Sequence, residues 1–204
     1  MKTTIIAAFA ALGLTTSIAF AEPVDKNFDN TVASVTATHG IFSFTLEAAK
    51  DEDYKSATVA ATVLTYGLSD TVDSALDVYV THYDDKDAYG IGADYTATHT
   101  ADALSVYGVV NVEYISNTGD VNGGDFYTAP TLGASYAFND TVSAYSEVSY
   151  AWNMSDDFSR QGGEFELGAS IALADTITFT PALVRSFDTG NDVTQAQLGL
   201  SFSF

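Results

Sequence analysis

Carboxylates are the side chains in this sequence best equipped to do chemistry, and their positions offer three kinds of it. His82 is followed closely by Asp84 and Asp85, the beginnings of a general-base site. Such a base also needs a partner that holds a water or nucleophile. No serine motif or second histidine in the acidic segments supplies one, and His39 and His99 fall toward the opposite ends of their segments. Asp84-Asp85-Lys86-Asp87 and Asp188-Thr189-Gly190-Asn191-Asp192 present hard oxygens, but neither has the spacing of a twelve-residue calcium loop. They read as solvated loops, so neither an enzyme nor a cofactor or metal site is expected. The third kind comes from acids on the polar phase of alternating segments: Glu47, Asp73, Asp77, Asp94, Glu113, Glu147, Glu164 and Glu166, with Arg185 the main basic candidate. Gathered around a narrow wet passage, these groups would concentrate cations and repel anions.

The elements that must position them are strands. Ala196, Leu198, Leu200, Phe202 and Phe204 alternate with Gln195, Gln197, Gly199, Ser201 and Ser203, so one face is greasy and the other small and polar. Phe165, Leu167, Ala169, Ile171 and Leu173 oppose Glu164, Glu166, Gly168, Ser170 and Ala172. Leu104, Val106, Val110, Val112 and Tyr114 oppose Ser105, Tyr107, Asn111 and Glu113. About ten such segments follow one another between residue 41 and the C terminus, each roughly 9–13 residues long, the length a tilted strand needs to cross hydrocarbon.

Ahead of them lies an export leader. Lys2 is followed by the uncharged apolar stretch Ile5 to Phe20, and Ala19-Phe20-Ala21 supplies the small residues a signal peptidase accepts, placing cleavage before Glu22. The expected divisions are a cleaved signal peptide over 1–21, a periplasmic N-terminal segment over 22–40, and a barrel over 41–204. Removing Lys2 with the leader takes the formal charge from −20 to −21. That acidity argues against nucleic acid as a partner. Cysteine is absent, so disulfides and thiolate metal sites play no part.

The connections are of two kinds. Ser69-Asp70-Thr71-Val72, Asn139-Asp140-Thr141-Val142 and Ala174-Asp175-Thr176-Ile177 share an Asp-Thr-aliphatic core, with Thr100-Ala101-Asp102-Ala103 a looser copy. They recur at intervals of about 35 residues, roughly two strands with their connections, and Asp suits such turns because its carboxylate can accept from a nearby amide. Between them come longer acidic or glycine-rich connections: 51–55, 84–87, 117–125, 155–163 and 188–192. Short turns at one end and larger polar loops at the other are the asymmetry of a barrel inserted from the periplasm. With ten strands, both chain ends would lie at the short-turn end.

A lipid-facing sheet cannot leave a row of amides unpaired, so these strands must close on themselves. Tyr66, Tyr136, Phe138 and Phe204 at one end, and Tyr114, Phe126, Trp152 and Phe187 at the other, are placed to form two interfacial girdles. Pro130 and Pro181 cannot donate to a closed ladder, and each is expected at a bulge. A bulge at Pro181 would turn Ala182 and Val184 outward and Arg185 inward.

The leader, the alternating strands and the terminal run Gln197-Leu198-Gly199-Leu200-Ser201-Phe202-Ser203-Phe204 resemble the bacterial outer-membrane β-barrel superfamily, particularly its small porin-like members. The resemblance covers nearly all of the mature chain in architecture but only the terminus in motif. It implies an all-β, transmembrane, antiparallel up-and-down barrel of about ten strands, with eight or twelve as alternatives. It also implies that Leu198, Leu200, Phe202 and Phe204 form the signal read by the outer-membrane assembly machinery. The chain is too short for the roughly 16 strands of large trimeric porins. The functional expectation is a passive diffusion channel in the outer membrane, its partners being lipid, the assembly machinery and small cations or polar solutes. The alternatives are a structural or adhesive surface barrel without an open pore and, further off, an outer-membrane hydrolase.

Overall fold

The computed structural model describes residues 31–49, 56–84, 87–116, 124–155, 157–188 and 193–204. The expected leader and its cleavage residues Ala19 and Ala21, most of the connections 51–55, 117–125 and 188–192, and Asp85 and Lys86 lie outside them.

Twelve strands form one continuous sheet: β1 (Thr31–His39), β2 (Phe42–Ala49), β3 (Ser56–Ser69), β4 (Val72–Tyr83), β5 (Ala88–Ala101), β6 (Leu104–Ser116), β7 (Asp125–Thr128), β8 (Thr131–Ala137), β9 (Val142–Asn153), β10 (Ser159–Ala174), β11 (Ile177–Phe187) and β12 (Thr194–Ser203). Apart from β7 and β8, each pairs with the next around a ring, and β1 closes it against β12. The pieces β7 and β8 share one position, both lying between β6 and β9. The ring therefore has eleven positions. An odd number of alternating strands leaves the first and last pointing the same way, and β1 is accordingly parallel to β12 while every other pair is antiparallel.

This closure corrects two expectations. The barrel begins at Thr31 rather than at residue 41, because Thr31–His39 fills the gap between β2 and β12. The first strand also starts at the loop end: β1 runs toward the short turns, so Thr31 lies at the opposite rim from Phe204. The seam is fastened at the turn end, where the Phe204 amide donates to the Thr38 carbonyl at 3.0 Å and His39 Nδ1 lies 2.5 Å from the Phe204 oxygen.

Two of the short turns are self-capped. Asn139 Oδ1 accepts from the amides of Thr141 and Val142, at 2.8 and 2.9 Å, and Ser69 Oγ accepts from Thr71 at 3.3 Å. In both, the capping oxygen belongs to the residue before the recurrent Asp.

Neither proline makes a bulge. The pairings of β6 and β9 keep the same register on either side of Pro130, so the strand is interrupted, not shifted. The Asn111 carbonyl, which faces the break, accepts from the Thr128 hydroxyl at 2.6 Å. On the outer wall, the break lies within an apolar groove of about 580 Å³ lined by Ala97, Gly108, Pro130, Leu132 and Tyr150. Pro181 stays in register opposite Leu198. The irregularities fall instead between Thr62 and Leu64, Gly67 and Ser69, Arg160 and Gly162, and Ala172 and Ala174. At the first, Val63 and Leu64 both face outward, as two residues opposite one partner require.

Candidate functional site: the barrel interior

Alternation sorts the side chains into two environments. Phe44, Val59, Val80, Ile91, Val110, Leu132, Leu167, Leu183 and Leu198 are exposed on the outer wall, while Glu47, Thr81, Asp94, Asn111, Glu113, Thr131 and Ser186 are buried inside. The arrangement is the reverse of a water-soluble protein.

Of the acids anticipated for the lumen, Glu47, Asp94 and Glu113 are buried on the inner face, and Asp77, Glu147, Glu164 and Glu166 are half-buried there. Asp73 shares their phase at the turn end of β4 and is exposed. Arg185 does not join them. Without a phase shift at Pro181, Ala182, Val184 and Ser186 are the buried positions of β11, whereas Leu183 and Arg185 face out. Arg185 bonds Thr194 Oγ1 at 3.0 Å near the loop end. Arg160 stands opposite outward Trp152. Among the described residues, no lysine or arginine lies on the inner face.

Tyrosines organise the acids, a feature the alternation alone did not signal. Tyr79, Tyr107 and Tyr145 stand directly across from Gly92, Gly133 and Gly168 on the neighbouring strands. A Cβ at each of these glycines would fall within the facing tyrosine ring. Each ring therefore lies along the wall instead of projecting across the lumen. From there the Tyr107 hydroxyl donates to Glu147 at 2.7 Å and that of Tyr145 to Glu166 at 2.5 Å, while Tyr83, higher on β4, donates to Glu113 at 2.8 Å. Glu147 and Glu166 are direct cross-strand partners.

A second acidic layer crosses β3 to β6, where Thr62, Asp77, Asp94 and Asn111 are successive partners. Thr62 Oγ1 donates to Asp77 at 2.5 Å, and Asn111 Nδ2 lies 2.6 Å from both Asp94 Oδ1 and the Tyr79 hydroxyl. The remaining sector, β11 through β3, is lined largely by neutral groups, short hydroxyls prominent among them, with Glu47 of β2 buried there. Thr36 pairs with Thr45 and Thr58 with Thr81, each at 2.9 Å. The interior is thus lopsided: the tyrosines and all of these carboxylates but Glu47 lie on β4 to β10, and neutral groups predominate opposite.

His82 sits on the outer wall, its ring 4.7 Å from that of Tyr89 and its Nε2 3.8 Å from Asp87. It belongs to an aromatic band at the loop end that includes the Tyr114–Phe126, Tyr150–Trp152 and Tyr150–Phe187 pairs. At the turn end, Tyr136 packs edge-on against Phe138, and His39 stacks on Phe204. Of the terminal residues expected to serve assembly, Leu198 and Phe204 are exposed, and Leu200 and Phe202 share their outward phase against Val35 and Ala37 of β1.

No family model matches the chain, and no curated protein matches it. Among solved structures, it is similar to the NanC porin in a rhombohedral crystal form, with a TM-score of 0.59 and 10% identity over 84% of this chain and 91% of that one. At that identity the likeness concerns the fold: this chain forms a closed, all-β, mostly antiparallel barrel of porin-like architecture.

Proposed function

We propose that the chain is exported by cleavage of residues 1–21, inserts into the outer membrane, and acts there as a passive diffusion channel preferring small cations. The observation that carries this reading is the sign of the inner wall: seven buried or half-buried carboxylates and, among the described residues, no lysine or arginine. Low-dielectric walls focus such a field along the axis and favour entry of positive ions. The wall-hugging tyrosines support a passage, because they keep the largest inner side chains clear of the axis. The apolar outer wall supports the membrane setting, since water-soluble monomers rarely expose contiguous apolar patches beyond a few hundred Å². The NanC neighbour is a porin, and channel activity carries over to this chain as part of the proposal. Leu198, Leu200, Phe202 and Phe204 serve as the assembly signal in the same reading.

Single-channel recording of refolded protein in planar bilayers tests it. Reproducible steps with a cation-preferring reversal potential are expected, and Glu113→Gln, Glu147→Gln and Glu166→Gln together should move that potential toward zero with conductance retained. The second reading, a closed structural or adhesive surface barrel, draws on the complete burial of Asn111 and near-complete burial of Glu113. An inserted but silent barrel would decide for it.

A further inference from the structure

The layer formed by Thr62, Asp77, Asp94 and Asn111 contains a polar atom with nothing to bind. Asn111 is 0% exposed, and its amide nitrogen is held by Asp94 and Tyr79, yet among the described residues Oδ1 has no hydrogen-bond partner. An unsatisfied buried carbonyl is costly. In the same layer, Asp77 and Asp94 are direct cross-strand partners, a placement in which like charges repel. Among the described residues, Thr62 is the side-chain donor to Asp77 and Asn111 the side-chain donor to Asp94. A water molecule could satisfy the carbonyl, but it would leave the two carboxylates facing each other. A cation answers both needs at once.

We propose that this layer binds one hard, oxygen-preferring cation of the Ca²⁺ class. Asp77, Asp94 and Asn111 Oδ1 are the ligands, and the Tyr79 hydroxyl lies at the edge of the site. Oxygen donors of this type suit calcium, whose coordination tolerates irregular geometry and added water. The Glu147–Glu166 pair lacks the equivalent carbonyl: each acid there accepts from a tyrosine. The inference deepens the channel reading and rests on it, since an ion moving along the lumen would meet this layer midway down β4 and β5.

Terbium is the probe, because it substitutes for calcium and its emission is excited through a nearby tyrosine such as Tyr79. Refolded full chain in detergent micelles is titrated with Tb³⁺ and then with Ca²⁺, and folding of each variant is checked by its gel shift on heating. One saturable site displaced by Ca²⁺ is expected. Asp94→Asn and Asn111→Leu should weaken it about tenfold or more, as loss of an oxygen ligand requires, while Glu166→Gln leaves it unchanged. Asn111→Asp retains an oxygen and should keep or tighten binding, so it decides the matter if Asn111→Leu fails to fold. Absence of a saturable site, or equal binding by Asp94→Asn, overturns the proposal. A barrel silent in bilayers that still binds Tb³⁺ at this layer removes the channel and leaves the site. A cation-selective channel with no saturable Tb³⁺ binding does the reverse.

Discussion

The pairing of Tyr107 with Gly133 shows how one missing methyl group governs the interior. The ring occupies the space a Cβ would fill at residue 133, and only in that position does its hydroxyl reach Glu147 on the next strand. Gly133→Ala should push the ring off the wall, break the bond to Glu147 and destabilise the barrel by about 1–3 kcal/mol, as overpacking does. The double variant Gly133→Ala with Tyr107→Ala should recover part of that loss, because the clash needs both groups. Urea unfolding of the barrel in vesicles measures both; strictly additive losses would show that the ring does not rest on Gly133. The inward phase of Tyr107, Asn111 and Glu113 was legible from alternation along one strand. The role of Gly133 was not, since it depends on which residue of β6 stands opposite, and that register is a property of two strands. Arg185 was misplaced for a related reason. A closed ladder was expected to bulge around Pro181, but it tolerates the lost donor without a change of phase.

At the scale of elements, the feature with most consequence is β1. Its alternation was weak to read, because Ala33, Ser34, Thr36, Ala37 and Thr38 differ little in hydrophobicity, whereas the strands with large outward residues stood out. Pairing supplies what composition lacks: β1 runs beside β12 over eight residues, from Thr31 opposite Ala196 to Thr38 opposite Ser203. The result departs from the even, wholly antiparallel count of bacterial single-chain barrels. Val35 and Leu200 are outward partners across this seam, and adjacent strands bring their Cα atoms within disulfide range, about 4.4–6.8 Å. The chain has no cysteine of its own, so Val35→Cys with Leu200→Cys gives an unambiguous cross-link. It should form on oxidation of the refolded barrel without loss of the heat-modifiable band. A ring closed directly between β2 and β12 would leave the two thiols free.

For the whole molecule, the odd ring fixes the rim at which β1 begins. Strands that alternate in direction and close in parallel put the start of β1 at the loop end and Phe204 at the turn end. β1 therefore starts at the loop rim, not at the short-turn rim that ten strands would dictate. This is testable once the barrel spans a bilayer with its short turns inward, as proposed. Single cysteines at Thr31, Asp87 in the β4–β5 connection and Asp140 in the β8–β9 turn can be challenged with a membrane-impermeant maleimide on intact cells and again after lysis. Asp87→Cys should react from outside and Asp140→Cys only after lysis, which establishes that the barrel spans the membrane. Thr31→Cys should then follow Asp87→Cys. If it reacts only after lysis, together with Asp140→Cys, β1 runs the other way or lies outside the ring, and the parallel seam is lost. If all three react alike on intact cells, the wall does not cross a bilayer, and the exposed Phe44, Ile91, Leu132 and Leu183 must be covered by something other than lipid.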